Sequence, residues 1–368
     1  MMRGFTKSIT FITVFLVATI CHQFDTSGYI TIDKYLDDHQ EQKLLMKSFS
    51  DIVSSYAIPI GFHMNRNVKI AAVYPCIQKS NYWRDSVTSM EKRLDELGIR
   101  YETARFFSKP SGDFRLQVKQ FADAIKAGSD YITISVDNEN MKRLVSTVLA
   151  KKKPKIFIQN LTTPTKEWQS NPPYMYVGFD HVEGAKIIAD QYSKIFPKGA
   201  SYILLYGPKG TVSSLRGGGF ESYALAKGFT PAAKFYTDFD ADKAYNAVND
   251  ALKRFPNISF IYACSTDIAI GASRALEELG LLNKVIVNGW GGTLKELNLI
   301  KQNKLDFTVM RMNDDNGVAI AEAIKLDLIN NADMAPQIFS GEFVTVTKEM
   351  TNEAIDSLIE RALRYSKK

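Results

Sequence analysis

Seven apolar runs in this chain are each followed by side chains that can hydrogen-bond or carry charge. After Val73 come Gln78, Ser80 and Trp83, after Val136 comes Asp137, and after Gln159 comes Asn160. After Tyr206 comes the loop "GPKGTVSSLRGGGF", which carries Arg216. Ala263 is followed by Ser265, Thr266 and Asp267, Val287 by Asn288, Gly289 and Trp290, and Met310 by Arg311. Amides, hydroxyls and carboxylates make directional hydrogen bonds to ligand hydroxyls. Tryptophan covers a ring face or donates through its indole N–H. The inventory suits a small polyhydroxylated ligand. Two arginines in one pocket repel each other unless acids or the ligand offset them. Asp137 and Asp267 supply part of that balance from just behind the site, and an anionic ligand supplies the rest through charge-assisted hydrogen bonds.

Each of these residues also has a plainer use. Asp137 and Asp267 precede helical segments, where aspartate serves as an N-cap. Trp290 can pack over the neighbouring glycines, and Arg311 can pair with Asp314 or Asp315. Taken together, so many polar and aromatic residues at the ends of apolar runs favour a binding site. Catalytic patterns are missing. "GPKG" and "RGGGF" do not match a phosphate-binding loop, no G-x-G-x-x-G follows the first apolar run, and no G-x-S-x-G appears. His22, His39, His63 and His181 form no metal pattern. His181 reads as a structural histidine, and the chain reads as a binding protein rather than an enzyme, with neither cofactor nor metal.

The elements that position these residues alternate. Strands are expected at 68–74, 131–136, 155–159, 174–177, 202–206, 258–263, 285–287, 307–310 and 343–346. Between them, apolar residues recur at helical spacing, as in Val87, Met90, Leu94 and Leu97 before Gly98. Such α/β alternation implies parallel sheets covered by helices on both faces. The strands are too many for one small sheet, and the series restarts near Asp180. Two doubly wound lobes joined by a hinge follow, with the ligand in the cleft outside the strands' carboxyl ends. The expected division is a leader at 1–22, an extension at 23–66, one lobe from 67–179 and 313–338, and a second from 180–312 and 339–368.

Composition is that of a globular protein, with 45% hydrophobic and 23% charged residues and a formal net charge of +6. "KKKPK" at 151–155 reads as a solvated helix end, so nucleic-acid binding is not expected. Arg3 and Lys7 precede an uncharged apolar run, Ser8 to Cys21, which fits an export leader and is short for a membrane span. A mature chain in the periplasm is expected. Cys21 leaves lipidation open. Cys76 and Cys264 can pair in an oxidising compartment or sit as two buried small hydrophobes.

Several long segments are distinctive: "VYPCIQKSNYW", "QNLTTPTKEW", "YVGFDHVEG", "FIYACSTDIAIGA", "NGWGG" and "TVMRMNDDNG". With them the chain resembles the type I periplasmic binding proteins of the ribose-binding class. More narrowly, it is similar to the LuxP-like receptors for autoinducer-2. The resemblance runs from about Val68 to Ser366, and the segment up to Asn67 matches only loosely. It implies a quorum-sensing receptor that binds autoinducer-2 as a furanosyl borate diester and signals to a LuxQ-type membrane sensor histidine kinase by lobe closure. Boron would enter with the ligand. Arg216 and Arg311 would hold the borate charge. Gln78, Ser80, Asn160, Ser265 and Thr266 would bind hydroxyls, and Trp83 and Trp290 would wall the ring. The alternative is a pentose-binding protein of an ABC uptake transporter.

Overall fold

Buried apolar runs alternating with helices of one apolar face build two sheets. The computed structural model describes residues 28–75, 81–109, 113–136 and 139–367. The leader segment, Cys21, Cys76, Gln78, Ser80 and Asp137 lie outside the described residues. Twelve strands occur among those described: β1 Val68–Tyr74, β2 Tyr101–Phe107, β3 Tyr131–Ile134, β4 Lys155–Gln159, β5 Met175–Gly178, β6 Ser201–Tyr206, β7 Thr230–Tyr236, β8 Phe260–Ala263, β9 Ile286–Gly291, β10 Phe307–Arg311, β11 Ile338–Ser340 and β12 Phe343–Thr347.

The first sheet has the order β11-β5-β4-β3-β1-β2 and the second β12-β10-β9-β8-β6-β7. All pairings are parallel except β12 against β10, which is antiparallel. In each sheet the winding reverses at its first strand, between β1 and β3 and between β6 and β8. Ligand crevices form at such switch points, beyond the carboxyl ends of the strands. Pro75 and Trp83 follow β1, Arg216 follows β6, and Ser265 follows β8.

The interior strands coincide with the expected apolar runs, because both faces of a doubly covered sheet are buried. Every residue of β3, β5, β8 and β10 is buried. The edge strands β2 and β7 carry no continuous apolar run and were not expected. Their residues are mostly half-buried or exposed, with charged Glu102, Arg105 and Lys234 among them. β9 runs four residues beyond its expected end, so Asn288, Gly289 and Trp290 lie inside the strand rather than after it. The extension expected before the first lobe holds two helices, Ile32–Asp38 and Gln40–Ser54, and the second buries Phe49 and Val53 against the first lobe.

The chain passes between the sheets three times, after β5, after β10 and after β11. These crossings are tied together. Gly341 N–H donates to Gly178 O at 2.8 Å, and Met312 N–H donates to Glu342 O at 3.2 Å. After the second crossing, helix Asp315–Leu328 packs on helix Tyr82–Glu96 of the first lobe. Gly317 permits this approach, since a Cβ there would run into the Ser86 carbonyl. The seam is fastened by Arg93 and Glu322. Both are 1% exposed, with Nε to Oε1 at 2.7 Å and Nη2 to Oε1 at 2.6 Å. Removing Glu322 leaves buried Arg93 with the longer contact to Glu96 at 3.5 Å and a bond to the Tyr365 hydroxyl, and breaking a buried pair in this way costs about 3–5 kcal/mol. Urea unfolding of Glu322→Ala is expected to show a loss of that size; a change below about 1 kcal/mol would show the pair to be dispensable.

Candidate ligand-binding site

The facing carboxyl ends enclose a cavity of about 190 Å³. Its lining includes Trp83 and Asn160 from the first lobe and Arg216, Ser265, Thr266, Asp267, Trp290 and Arg311 from the second. Every described residue that the resemblance assigns to the ligand, and Asp267 with them, therefore lies on this one cavity, whereas Asn288 and Gly289 do not. It has room for roughly a dozen waters by the volume a water needs. A small ring fits the same space.

Local structure explains each placement. Arg216 lies in a π-helical turn, Ser214–Gly218, between the short helix Thr211–Ser213 and the helix Gly219–Ala226. Such bulges re-aim side chains and occur often at functional sites. Gly217 is required because a Cβ there would collide with the Tyr206 ring. The Arg216 guanidinium stacks over Trp290 at 4.8 Å and donates through Nη1 to Cys264 O at 3.1 Å. Arg311, the last residue of β10, lies over the rings of Tyr82 at 4.5 Å and Phe179 at 5.6 Å. Gly291, at φ +116, makes room for it, since a Cβ there would lie 2.7 Å from Arg311 Nη2. Arg311 does not pair with Asp315, which instead binds Arg364 at 3.1 Å.

Trp290 is held at both ends. Its N–H donates to Glu296 Oε1 at 2.7 Å, and its carbonyl accepts from Thr266 Oγ1 at 3.1 Å. Gly184 leaves space for its ring, because a Cβ there would lie 2.7 Å from Cη2. Trp83 stacks on Tyr74 at 4.6 Å, so one of its faces is already covered. Ser265, not Asp267, caps the helix Thr266–Glu278 by accepting from Ile268 N–H at 3.4 Å. Asn288 is structural: it is fully buried and bonds both Ala263 N–H and Ala263 O.

The electrostatics are unbalanced. Both guanidiniums are buried, at 6% and 8% exposure. Burial pushes Arg216 down to about 10, and Arg311 pushes it in the same direction. Burial also lowers Arg311, with Tyr82 and Glu296 opposing. Neither has a carboxylate at ion-pair distance among the described residues. Glu296 is spent on backbone N–H groups of Trp290 and Thr293. Three buried polar atoms of the site have no hydrogen-bond partner among the described residues: Asn160 Oδ1, Trp290 Nε1 and Arg311 Nε. Buried groups of this kind are ordinarily satisfied, and all three belong to residues of the cavity wall.

His181 joins the lobes at the back of the site. Its Nε2 lies 3.1 Å from Asn160 O, and its Nδ1 accepts from Arg216 Nε at 3.4 Å. That pattern requires a neutral ring protonated on Nε2. Burial, then Arg216 and Arg311, hold its pKa well below 6.5. The histidine expected to be structural is structural, and it also orients a site arginine. Tyr82, Phe179 and Glu296 were not anticipated; only the aromatic pair in "SNYW" signals Tyr82. Cys264 carries a free buried thiol, pushed up to about 12 by burial.

A periplasmic binding protein domain matches residues 70–331, more than half the chain. The chain belongs to the periplasmic binding protein family. Its two-lobed α/β architecture is the type I fold of that family. The ribose import binding protein RbsB of Salmonella typhimurium is 25% identical over 76% of this chain and 93% of that protein. The D-allose-binding periplasmic protein of Escherichia coli is 26% identical, covering 78% and 96%. A solved ABC transporter periplasmic solute-binding protein from Actinobacillus succinogenes with bound D-allose superposes with a TM-score of 0.68, at 22% identity, over 77% of this chain and 98% of that one. A XylFII–LytSN complex shares the fold, with a TM-score of 0.65 at 19% identity, over 78% and 100%. The first three of these are named for binding a sugar or other solute. Among the described residues of this family member, no helix is long and apolar enough to cross a membrane.

His181 gives a signed pH dependence. Its folded pKa is depressed, so the unfolded chain takes up the proton first. The histidine's contribution is fully present above pH 6.5 and is lost as pH falls below that value. Chemical unfolding of wild type and His181→Gln between pH 7.5 and 5, roughly the range where histidine titrates, is expected to show wild type losing stability relative to the variant. Carboxyls common to both cancel in this difference. Parallel curves would place a charged imidazole in the folded state.

Proposed function

We propose that the cleft binds one small polyhydroxylated ring carrying negative charge, and that the ligand is the furanosyl borate diester of autoinducer-2. The observation that supports this reading is the pair of buried guanidiniums on one cavity, neither with a carboxylate at ion-pair distance among the described residues. A tetrahedral borate diester is an anion bearing several oxygens. It would accept charge-assisted bonds from Arg216 and Arg311 and an indole N–H bond from Trp290. Asn160 Oδ1, Ser265 and Thr266 would take the hydroxyls. Gln78 and Ser80 are proposed to take part in binding with Asp137 in support, and Asp267 adds a carboxylate to the second-lobe wall. No cofactor is needed, since boron arrives within the ligand.

Binding would draw both lobes together, because the ligand's partners come from both sheets. A ligand that prefers the closed state shifts the population toward it. On this reading the closed form is what a LuxQ-type membrane sensor histidine kinase detects, and the chain works in the periplasm after its leader is removed.

The names of the relatives support a second reading: a neutral sugar such as D-ribose or D-allose, bound on behalf of an ABC uptake transporter. Isothermal titration with autoinducer-2, with and without borate, and with D-ribose and D-allose, separates the two. The borate reading expects tight binding only when both autoinducer-2 and borate are present. Tight binding of either sugar alone supports uptake and ends the borate reading. A charge-assisted hydrogen bond contributes about 1.5–3 kcal/mol. Arg216→Ala and Arg311→Ala are therefore each expected to weaken borate-dependent binding by roughly 10- to 100-fold while retaining a cooperative melt.

A further inference from the structure

We propose that Tyr29 is a positioning residue of the binding site, through which the N-terminal segment holds the loop that carries Arg216. Residues 28–35 precede the range matched by the family domain. They are fixed to the first lobe by backbone bonds. Ile30 N–H donates to Pro164 O at 2.8 Å, and Lys166 N–H donates to Gly28 O at 3.1 Å. Tyr29, Ile32 and Tyr35 pack against a first-lobe apolar cluster that contains Phe121, Val145 and Trp168. From that anchor, the Tyr29 hydroxyl crosses to the second lobe and meets Thr211 Oγ1 at 2.8 Å.

Thr211 lines the cavity and starts the helical run that leads into the π turn of Arg216. The same run sends Leu215, 3% exposed, into the apolar cluster against which Tyr29 packs. A polar contact and an apolar contact, four residues apart, therefore join this second-lobe loop to the first lobe. Both come from residues that precede the arginine in the same helical run. A helix start pinned at Thr211 and buried at Leu215 leaves the guanidinium little freedom to turn out of the cavity. The strap thus limits the rotamer entropy that a ligand would otherwise have to remove on binding.

Hydrogen–deuterium exchange on the purified ligand-free chain tests this without reference to ligand identity. In Tyr29→Phe, amides of Thr211–Gly218 are expected to exchange roughly three- to tenfold faster, the range set by losing one hydrogen bond. The reciprocal variant Thr211→Val is expected to accelerate exchange in residues 29–35. A purely local role for Tyr29 would confine the change to 28–35 and 160–168 and leave the Arg216 loop untouched; that result overturns the proposal. If Tyr29→Phe fails to fold, Thr211→Val alone decides, since unchanged protection at 29–35 also overturns it.

Discussion

Two buried positive charges share one cleft, and neither has a carboxylate at ion-pair distance among the described residues. Most of the site can be understood as a response to that constraint. Removing a guanidinium from water costs several kcal/mol unless other groups replace the solvent. Here the replacements are softer than ion pairs. Arg216 has the Trp290 face, the Cys264 carbonyl and the lone pair of a neutral histidine. Arg311 has two aromatic faces and the more distant Glu296. Cation–π contacts of this kind contribute about 0.5–2 kcal/mol each, which offsets the desolvation only in part. The deficit leaves the site with a standing demand for electron-rich oxygen.

The demand is divided between two bodies. Asn160 projects from the sheet of β1–β5, while both arginines and Trp290 project from the sheet of β6–β10. His181 lies where the chain first crosses and touches both sides, accepting from Arg216 and donating to Asn160 O. It can do so only while neutral. A protonated ring would bring a third positive charge beside two others, and the depressed pKa reports how strongly the surroundings oppose that. The crossing segment is therefore a hinge and also part of the electrostatic frame.

Much of this was legible in the residues. Interior strands of a doubly covered sheet read as unbroken apolar runs, and the first polar residue after each run must face the cleft; Asn160 and Ser265 follow from that rule alone. Edge strands were not legible, since "YETARFF" and "TPAAKFY" are largely uncovered and carry the mixed character of a surface. Asn288 misled because β9 continues past its apolar run, so a polar residue expected at an exit is buried in the sheet, bonded to Ala263. The contacts of Phe179 and Glu296 were hidden for different reasons. The Phe179 contact depends on the lobes meeting, and no periodicity within one element reports a partner more than a hundred residues away, as Phe179 is from Arg311; Glu296 is held within the second lobe, by the Trp290 and Thr293 N–H groups, where helical spacing reads it as a surface acid.

The incomplete satisfaction of the cleft has a consequence for how the fold can work. A site whose charges were neutralised internally would gain little from a ligand and would close equally well without one. Here Arg311 Nε and Trp290 Nε1 in one lobe, and Asn160 Oδ1 in the other, have no hydrogen-bond partner among the described residues. Each is costly to bury unmet. A ligand that touches residues of both lobes at once stabilises the arrangement in which the lobes face each other. The free energy available to couple binding to closure is the ligand's differential affinity for the closed arrangement. Where the demand is for negative charge, the coupling is selective for anions. Where it is for hydroxyl oxygen alone, any small sugar of suitable shape would serve.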